Sequence, residues 1–235
     1  MDLTEKNLID KYLYYEENGI KIYCGDSFEI LPLIEKVDLV VCDPPYGINL
    51  EYDKYKDTDD NWVSMFSRLI PELKRVSTMS ILPCCQIRKL PFIYQNFPPD
   101  WIICWYKGSS GHRAYIGFND WEPLLVYGKN QNVQMHDYFY CQPNISDKTD
   151  HPCPKSVGWS KWLIQRALGD GNVVMDPFLG SGTTLAAAKE LGVDAIGIEM
   201  SEKYCEISKK RIKNTPKSMF PPKKNSKEGD TIGLF

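Results

Sequence analysis

Short β-branched runs alternate along the chain with stretches whose apolar residues recur at helical spacing. That is the pattern of a parallel sheet with helices on its faces. Seven runs are expected as strands: 20–24 (IKIYC), 37–43 (VDLVVCD), 79–84 (MSILPC), 101–106 (WIICWY), 122–128 (EPLLVYG), 172–176 (NVVMD) and 194–199 (DAIGIE). Between them the spacing predicts helices over 27–35, 60–75, 156–168, 183–191 and 201–213. The last is the best marked. Ser201 can cap it, Glu202 and Glu206 fall early, and Lys209, Lys210, Arg211 and Lys213 fall late, which suits the helix dipole. The fold class expected is α/β, a seven-stranded, mostly parallel sheet with helices on both faces.

Three segments break this rhythm. Residues 47–60 and 107–120 read as loops rich in polar, glycine and aromatic residues, and 129–155 as a long polar connection. Loops of that length in a compact domain tend to carry function or disorder. The tail from 214 is rich in Pro and Lys and is expected to be flexible. The organisation read from this is an N-terminal extension over 1–19, one domain over 20–213 with short insertions at about 107–120 and 129–150, and a basic tail over 214–235.

Composition narrows the class. With 235 residues, 43% hydrophobic and 25% charged, the chain has the makeup of an ordinary globular protein and enough apolar surface for a core. No apolar run approaches the roughly 20 residues of a membrane helix, and the first residues carry charge without an apolar leader, so a cytoplasmic protein is expected, with no membrane contact. The eight cysteines are scattered, several inside apolar runs, where a thiol acts as a small hydrophobe rather than part of a disulfide framework. Charge is unevenly spread. Residues 203–227 hold nine cations and one acid, a local +8; the whole chain is −3, so the remainder is −11. Contact with a polyanion should therefore be local and salt-sensitive. His136, Cys141, His151 and Cys153 lack the paired spacing of a zinc site, and no metal is expected.

Two motifs carry chemistry. The first, Cys42-Asp43-Pro44-Pro45-Tyr46-Gly47, stands at the carboxyl end of an apolar strand, where open α/β sheets bind ligands. A residue before proline is pushed into an extended conformation, and proline has no N–H, so this turn offers acceptors: the Asp43 carboxylate and the Pro44 carbonyl. Two acceptors side by side suit a substrate NH₂ group, and Tyr46 offers a flat face for a base. Taken alone, the same residues also describe a strand end with a proline turn.

The second motif is Asp176-Pro177-Phe178-Leu179-Gly180-Ser181-Gly182-Thr183-Thr184, a strand end, a glycine turn and a helix start. Such a turn lets a ligand approach closely, and the N–H groups of a first helical turn attract a carboxylate or phosphate. It lacks both the Walker lysine and the GxGxxG spacing. Glu199 ends the next strand, 19 residues after Gly180, the usual place for an acid that binds ribose hydroxyls. The pair implies an adenosine-type ligand with an anionic end, although the glycines alone could serve packing.

Together the two motifs resemble the amino-methyltransferases of DNA, which methylate the exocyclic nitrogen of adenine or cytosine using S-adenosylmethionine. DPPY at 43–46 is similar to their catalytic motif and DPFLGSGTT at 176–184 to their cofactor motif, in the permuted order of the beta group. The resemblance implies a Rossmann-like methyltransferase fold. It also implies catalytic roles for Asp43, Pro44, Pro45 and Tyr46, and cofactor contacts from Asp26, Asp176, Phe178, Gly180, Ser181, Gly182, Thr183 and Glu199. Asp26, in GDSFEIL, is implied at the cofactor adenine. His151-Pro152-Cys153-Pro154-Lys155 resembles the family's HPTQKP segment, with Cys153, Pro154 and Ser156 departing from it. Lys155 is the implied partner of the methionine carboxylate.

The resemblance further implies double-stranded DNA as partner, with N6 of adenine favoured by DPPY over the SPPY commoner in cytosine enzymes. Cytosine N4, RNA or a protein glutamine amide remains an alternative, as does a non-catalytic binding module of the same fold. Lys107, His112 and Arg113 mix with Tyr115 and Phe118 in one loop and are candidate DNA contacts; a solvated connection reads the same way. The terminal Leu234-Phe235 resembles a sliding-clamp docking peptide, against the simpler reading of a frayed end.

Overall fold

The computed structural model describes residues 8–84, 86–108, 113–114, 117–129, 136–141 and 156–217. All seven expected strands are present: β2 (Ile20–Cys24), β3 (Val37–Val41), β4 (Ser77–Pro83), β5 (Trp101–Tyr106), β8 (Trp121–Gly128), β10 (Val173–Asp176) and β11 (Asp194–Glu199). They lie in one nine-stranded sheet, completed by β1 (Leu13–Glu17) and β9 (Tyr138–Tyr140) at its edges, in the order β1-β2-β11-β10-β3-β4-β8-β5-β9. Strands β2, β11, β10, β3 and β4 pair in parallel; β8 runs antiparallel between β4 and β5. A separate two-stranded hairpin joins β6 (Arg113–Ala114) to β7 (Gly117–Phe118).

The helices α1 (Ser27–Ile30), α2 (Asp59–Val76), α3 (Leu90–Asn96), α4 (Val157–Ala167), α5 (Thr183–Leu191) and α6 (Glu202–Asn214) cover both faces. Alternation along the strands sorts the core into two layers. Leu39 and Val41 of β3, Val174 of β10 and Leu124 of β8 face Trp159, Leu163 and Leu185 of α4 and α5. Their neighbours Val40, Cys42, Met175 and Leu125 face Trp62, Phe66, Leu69 and Leu73 of α2. Burial on both faces is why these strands read as continuous apolar runs.

Residues 13–17, read as part of an N-terminal extension, instead add an antiparallel edge strand to β2, so the sheet begins before residue 20. Tyr14 donates to Glu206 of α6 at 3.0 Å, and the Lys209 and Lys213 ammonium groups sit 5.5 and 5.9 Å from the rings of Tyr14 and Tyr15. Part of the basic face of α6 is thus covered by the protein's own aromatic strand. Among the described residues no helix is long and apolar enough to cross a membrane.

From β3 the chain moves outward to β4; from β10 it moves the other way to β11. The tips of β3 and β10, neighbours in register at Leu39↔Val174 and Val40↔Met175, therefore flank the point where strand order reverses. Open α/β sheets bind their ligands at such a point.

Candidate functional site

At that switch point lies a cavity of about 370 Å³, within the usual size for a small-molecule site. Asp26, Asp43, Pro45, Asp176, Phe178, Gly180, Ser181, Thr183 and Glu199 all line it, so the two sequence motifs share one space. Asp26 ends the β2 exit and caps α1, accepting from the Phe28 N–H at 2.8 Å. Ser27 donates to the Pro177 carbonyl, tying this turn to the β10 exit.

Glu199 holds the glycine turn from below. One carboxylate oxygen accepts from the Gly180 N–H at 2.9 Å and the other from the Ser201 N–H at 2.8 Å. Burial raises its pKa against those two bonds. Two N–H groups of this turn, both ahead of α5, are used within the protein. The Gly180 N–H is spent on Glu199 and the Gly182 N–H on the Leu179 carbonyl. Gly182 is required by conformation and by α6: its φ is +82°, and a Cβ there would lie 2.9 Å from Ser208, whose hydroxyl donates to the Gly180 carbonyl at 2.7 Å.

Asp176 is fully enclosed at the base of the cavity. Desolvation pushes its pKa up to about 7, opposed by hydrogen bonds from the Thr184 hydroxyl and the Phe178 N–H, and reinforced by the charges of Asp43 and Glu199. With Asp26, Asp43, Asp53 and Glu199, Asp176 makes five acidic side chains around one cavity.

The turn at 43–46 differs in one respect from the sequence reading. Asp43 and Pro45 line the cavity, but Pro44 and Tyr46 line a small neighbouring space with Trp62, Phe66 and Lys89. Tyr46 is buried, 6% exposed, and its hydroxyl donates to Asp43 Oδ1. Its ring is therefore an orienting group for the carboxylate here, not an open stacking face. The aromatic walls of the main cavity are Phe28, Tyr52, Tyr55, Trp159, Phe178 and Tyr204.

Loop 47–58 was foreseen only as a loop, and its anchors were not foreseen at all. The buried Asp57 carboxylate accepts from the Gly47, Ile48 and Leu50 N–H groups at 2.6, 3.1 and 3.2 Å, and Asp53 accepts from the Ser201 hydroxyl at 2.7 Å. The loop so folded places Tyr52 to Tyr55 over the cavity. Two buried polar atoms on its walls, the Trp159 Nε1–H and the Tyr55 hydroxyl, have no partner among the described residues. Burial and the Asp57 charge push the Tyr55 phenol up to about 12. A buried polar atom without a partner marks where a ligand's polar group would sit.

Comparison with known proteins agrees with this geometry. The DNA methylase family description matches residues 107–210. The chain is 24% identical to the type II methyltransferase M.HpaI of Haemophilus parainfluenzae, over 82% of this chain and 74% of that protein. It is 26% identical to the DNA adenine methyltransferase YhdJ of Escherichia coli, over 80% and 81%. The crystal structure of an M1.HpyAVI–SAM complex superposes with a TM-score of 0.59 at 26% identity, covering 82% of this chain and 98% of that one. The cytosine-N4-specific PvuII DNA methyltransferase shares the fold, with a TM-score of 0.63 at 17% identity and coverage of 82% and 86%. In sequence and in fold the chain is similar to DNA methyltransferases.

The remaining expected positions fare unequally. Lys107 is 14% exposed, with its ammonium 3.4 Å from Glu122, so it is held in an ion pair and does not stand out as a phosphate contact. Arg113 starts the hairpin strand β6. His112, His151, Lys155 and the terminal Leu234-Phe235 lie outside the described residues, as does most of the basic tail. Among the described residues no group of three or more His, Cys, Asp or Glu is arranged to hold a metal ion.

Proposed function

We propose that this chain transfers a methyl group from S-adenosylmethionine to the exocyclic amino nitrogen of a base in double-stranded DNA, N6 of adenine in our reading. The observation that carries the proposal is the common cavity in which Asp43 faces the Gly180 turn and Glu199. The residues fit the cofactor: Asp26, Asp43 and Asp53 line the cavity and suit its sulfonium charge, Glu199 keeps acceptor capacity for ribose hydroxyls beyond its two backbone bonds, and the Trp159 N–H, without a partner among the described residues, can meet an acceptor on it. When bound, S-adenosylmethionine supplies an electrophilic methyl group.

The chain's own contribution is positioning and electrostatics. An aromatic amine is a poor nucleophile because its lone pair is delocalised into the ring. If Asp43 and the Pro44 carbonyl each accept one N–H, the nitrogen can direct its lone pair toward the methyl carbon. As the nitrogen–carbon bond would form and the methyl's bond to sulfur break, the carboxylate stabilises the positive charge that develops on nitrogen, and the surplus proton is released to solvent. The Tyr46 hydroxyl bonded to Asp43 fixes the carboxylate for that task. A duplex hides this amino group, so the base must be extruded, at a cost of a few kcal/mol. Adenine is favoured by the aspartate of DPPY.

Incubation with tritium-labelled S-adenosylmethionine and unmethylated duplex DNA tests the proposal. Label in N6-methyladenine, lost in Asp43→Ala, is the expected result. Label in N4-methylcytosine would correct the base; label only in RNA or protein, or none, would overturn the function.

A further inference from the structure

Lys89 is 6% exposed and far in sequence from either motif, yet its ammonium group touches the catalytic turn. Nζ donates to the Tyr46 carbonyl at 2.6 Å, lies 3.0 Å from Asp59 Oδ1, and sits 3.9 Å from the centre of the Trp62 ring. The side chain comes from a short turn (Ile87–Lys89) after β4, the strand beside β3, and reaches across to the loop that leaves β3. Asp59 opens α2 and is two-thirds exposed, so its carboxylate approaches the ammonium from the solvent side. The turn is built around this contact: Gly47 has φ +67°, and a Cβ there would lie 2.6 Å from Nζ and 2.7 Å from the Trp62 Cβ.

A buried ammonium is expensive unless it is well paired, and an apolar side chain of equal length would fill the same space more cheaply. What the apolar side chain cannot do is hold a carbonyl. The carbonyl in question belongs to Tyr46, whose other end donates to Asp43. Resting on the function proposed above, we propose that Lys89 is a positioning residue: it anchors the backbone of Tyr46 so that the phenol keeps the Asp43 carboxylate in its catalytic orientation. It touches neither substrate nor cofactor in this role. Asp57 secures the following residues, Gly47 to Leu50, so the turn is gripped at its carbonyl by a cation and at its N–H groups by an anion.

Two readouts on the full chain test this. In Lys89→Met, amide exchange at Gly47 and Ile48 should quicken tenfold or more. Its kcat should fall tenfold or more, while the Kd for S-adenosylmethionine moves less than threefold. Tyr46→Phe should lower kcat, and adding Lys89→Met to it should lower kcat by less than a further threefold, because the two act through one bond. Additive losses, unchanged exchange, or a kcat within threefold of wild type in Lys89→Met would overturn the role. Should Lys89→Met not fold, Lys89→Gln, whose amide stops short of the carbonyl, replaces it with the same outcomes. Failure of both to fold marks the residue as structural and also overturns the role. The exchange measurement needs no substrate. A wild-type protein that methylates no DNA therefore sinks the function, whereas normal exchange in an active background sinks Lys89 alone.

Discussion

Asp43 and Asp176 sit at the tips of neighbouring strands and face the same cavity, but their surroundings give them different work. Asp43 is hydrogen-bonded by a phenol and borders open space; Asp176 is sealed, bonded to the backbone of its own turn and held protonated up to about pH 7. Replacing Asp43 by Ala should lower kcat by roughly 10² to 10³, the scale of one lost preorganised electrostatic contact, while isothermal titration shows S-adenosylmethionine binding nearly unchanged. Asp176 makes a stability prediction instead. Its folded pKa lies above its unfolded value near 3.8, so the native state holds the proton more tightly, and the associated stability is complete below about pH 4 and lost as pH rises through about 7. Urea denaturation of Asp176→Asn and wild type should therefore diverge by roughly a few kcal/mol in favour of Asn between pH 4 and 7, then run parallel. A constant difference across that range would refute the assignment. Both acids were legible in the sequence because each ends an apolar strand inside a recognisable motif. Lys89, Asp57 and Tyr55 were not. Their roles come from contacts across the fold, such as the 43-residue separation between Lys89 and Tyr46, which no local pattern records.

Elements followed the hydrophobic pattern wherever burial on two faces made that pattern strong. β3, β10 and β11 have apolar middles because helices cover both sides, and they fell where they were expected. β1 (LYYEE) and β9 (YFY) escaped notice since an edge strand buries little: Tyr138 and Tyr140 are half exposed, and β1 is held by one neighbour and by tyrosine contacts to α6. α3 (LPFIYQN) was too short to show a period. The glycine turn before α5 carries a packing demand as well as lining the cavity: α6 packs on Gly182, whose φ is positive. Gly182→Ala should therefore cost roughly 1–3 kcal/mol of stability from backbone strain and the Ser208 clash, measured by denaturant unfolding. A neutral substitution would mean that the turn relaxes freely and that α6 does not constrain it.

At the scale of the whole molecule, the site joins parts of the chain that fold far apart in sequence. Asp26 and Asp43 come from the first third, Asp176 and Glu199 from the last, and they meet because β10 and β11 insert between β2 and β3. That insertion makes the cavity a junction between the N-terminal and C-terminal parts of the sheet, closed on one side by Asp53 bonding to Ser201 across 148 residues. A ligand that fills it contacts both parts and binds only the folded chain, so its free energy adds to global stability. At a hundred times its Kd, S-adenosylmethionine should stabilise the protein by about 2.7 kcal/mol. For a domain of this size that is roughly 5–10 °C in melting temperature. Glu199→Ala should remove most of that gain, because it takes away both the proposed ribose acceptor and the support of the Gly180 turn, whereas Asp43→Ala should keep it. Thermal melts with and without cofactor distinguish the two variants directly. If Asp43→Ala lost the shift and Glu199→Ala retained it, the division of the cavity into a transfer wall and a cofactor wall would be reversed.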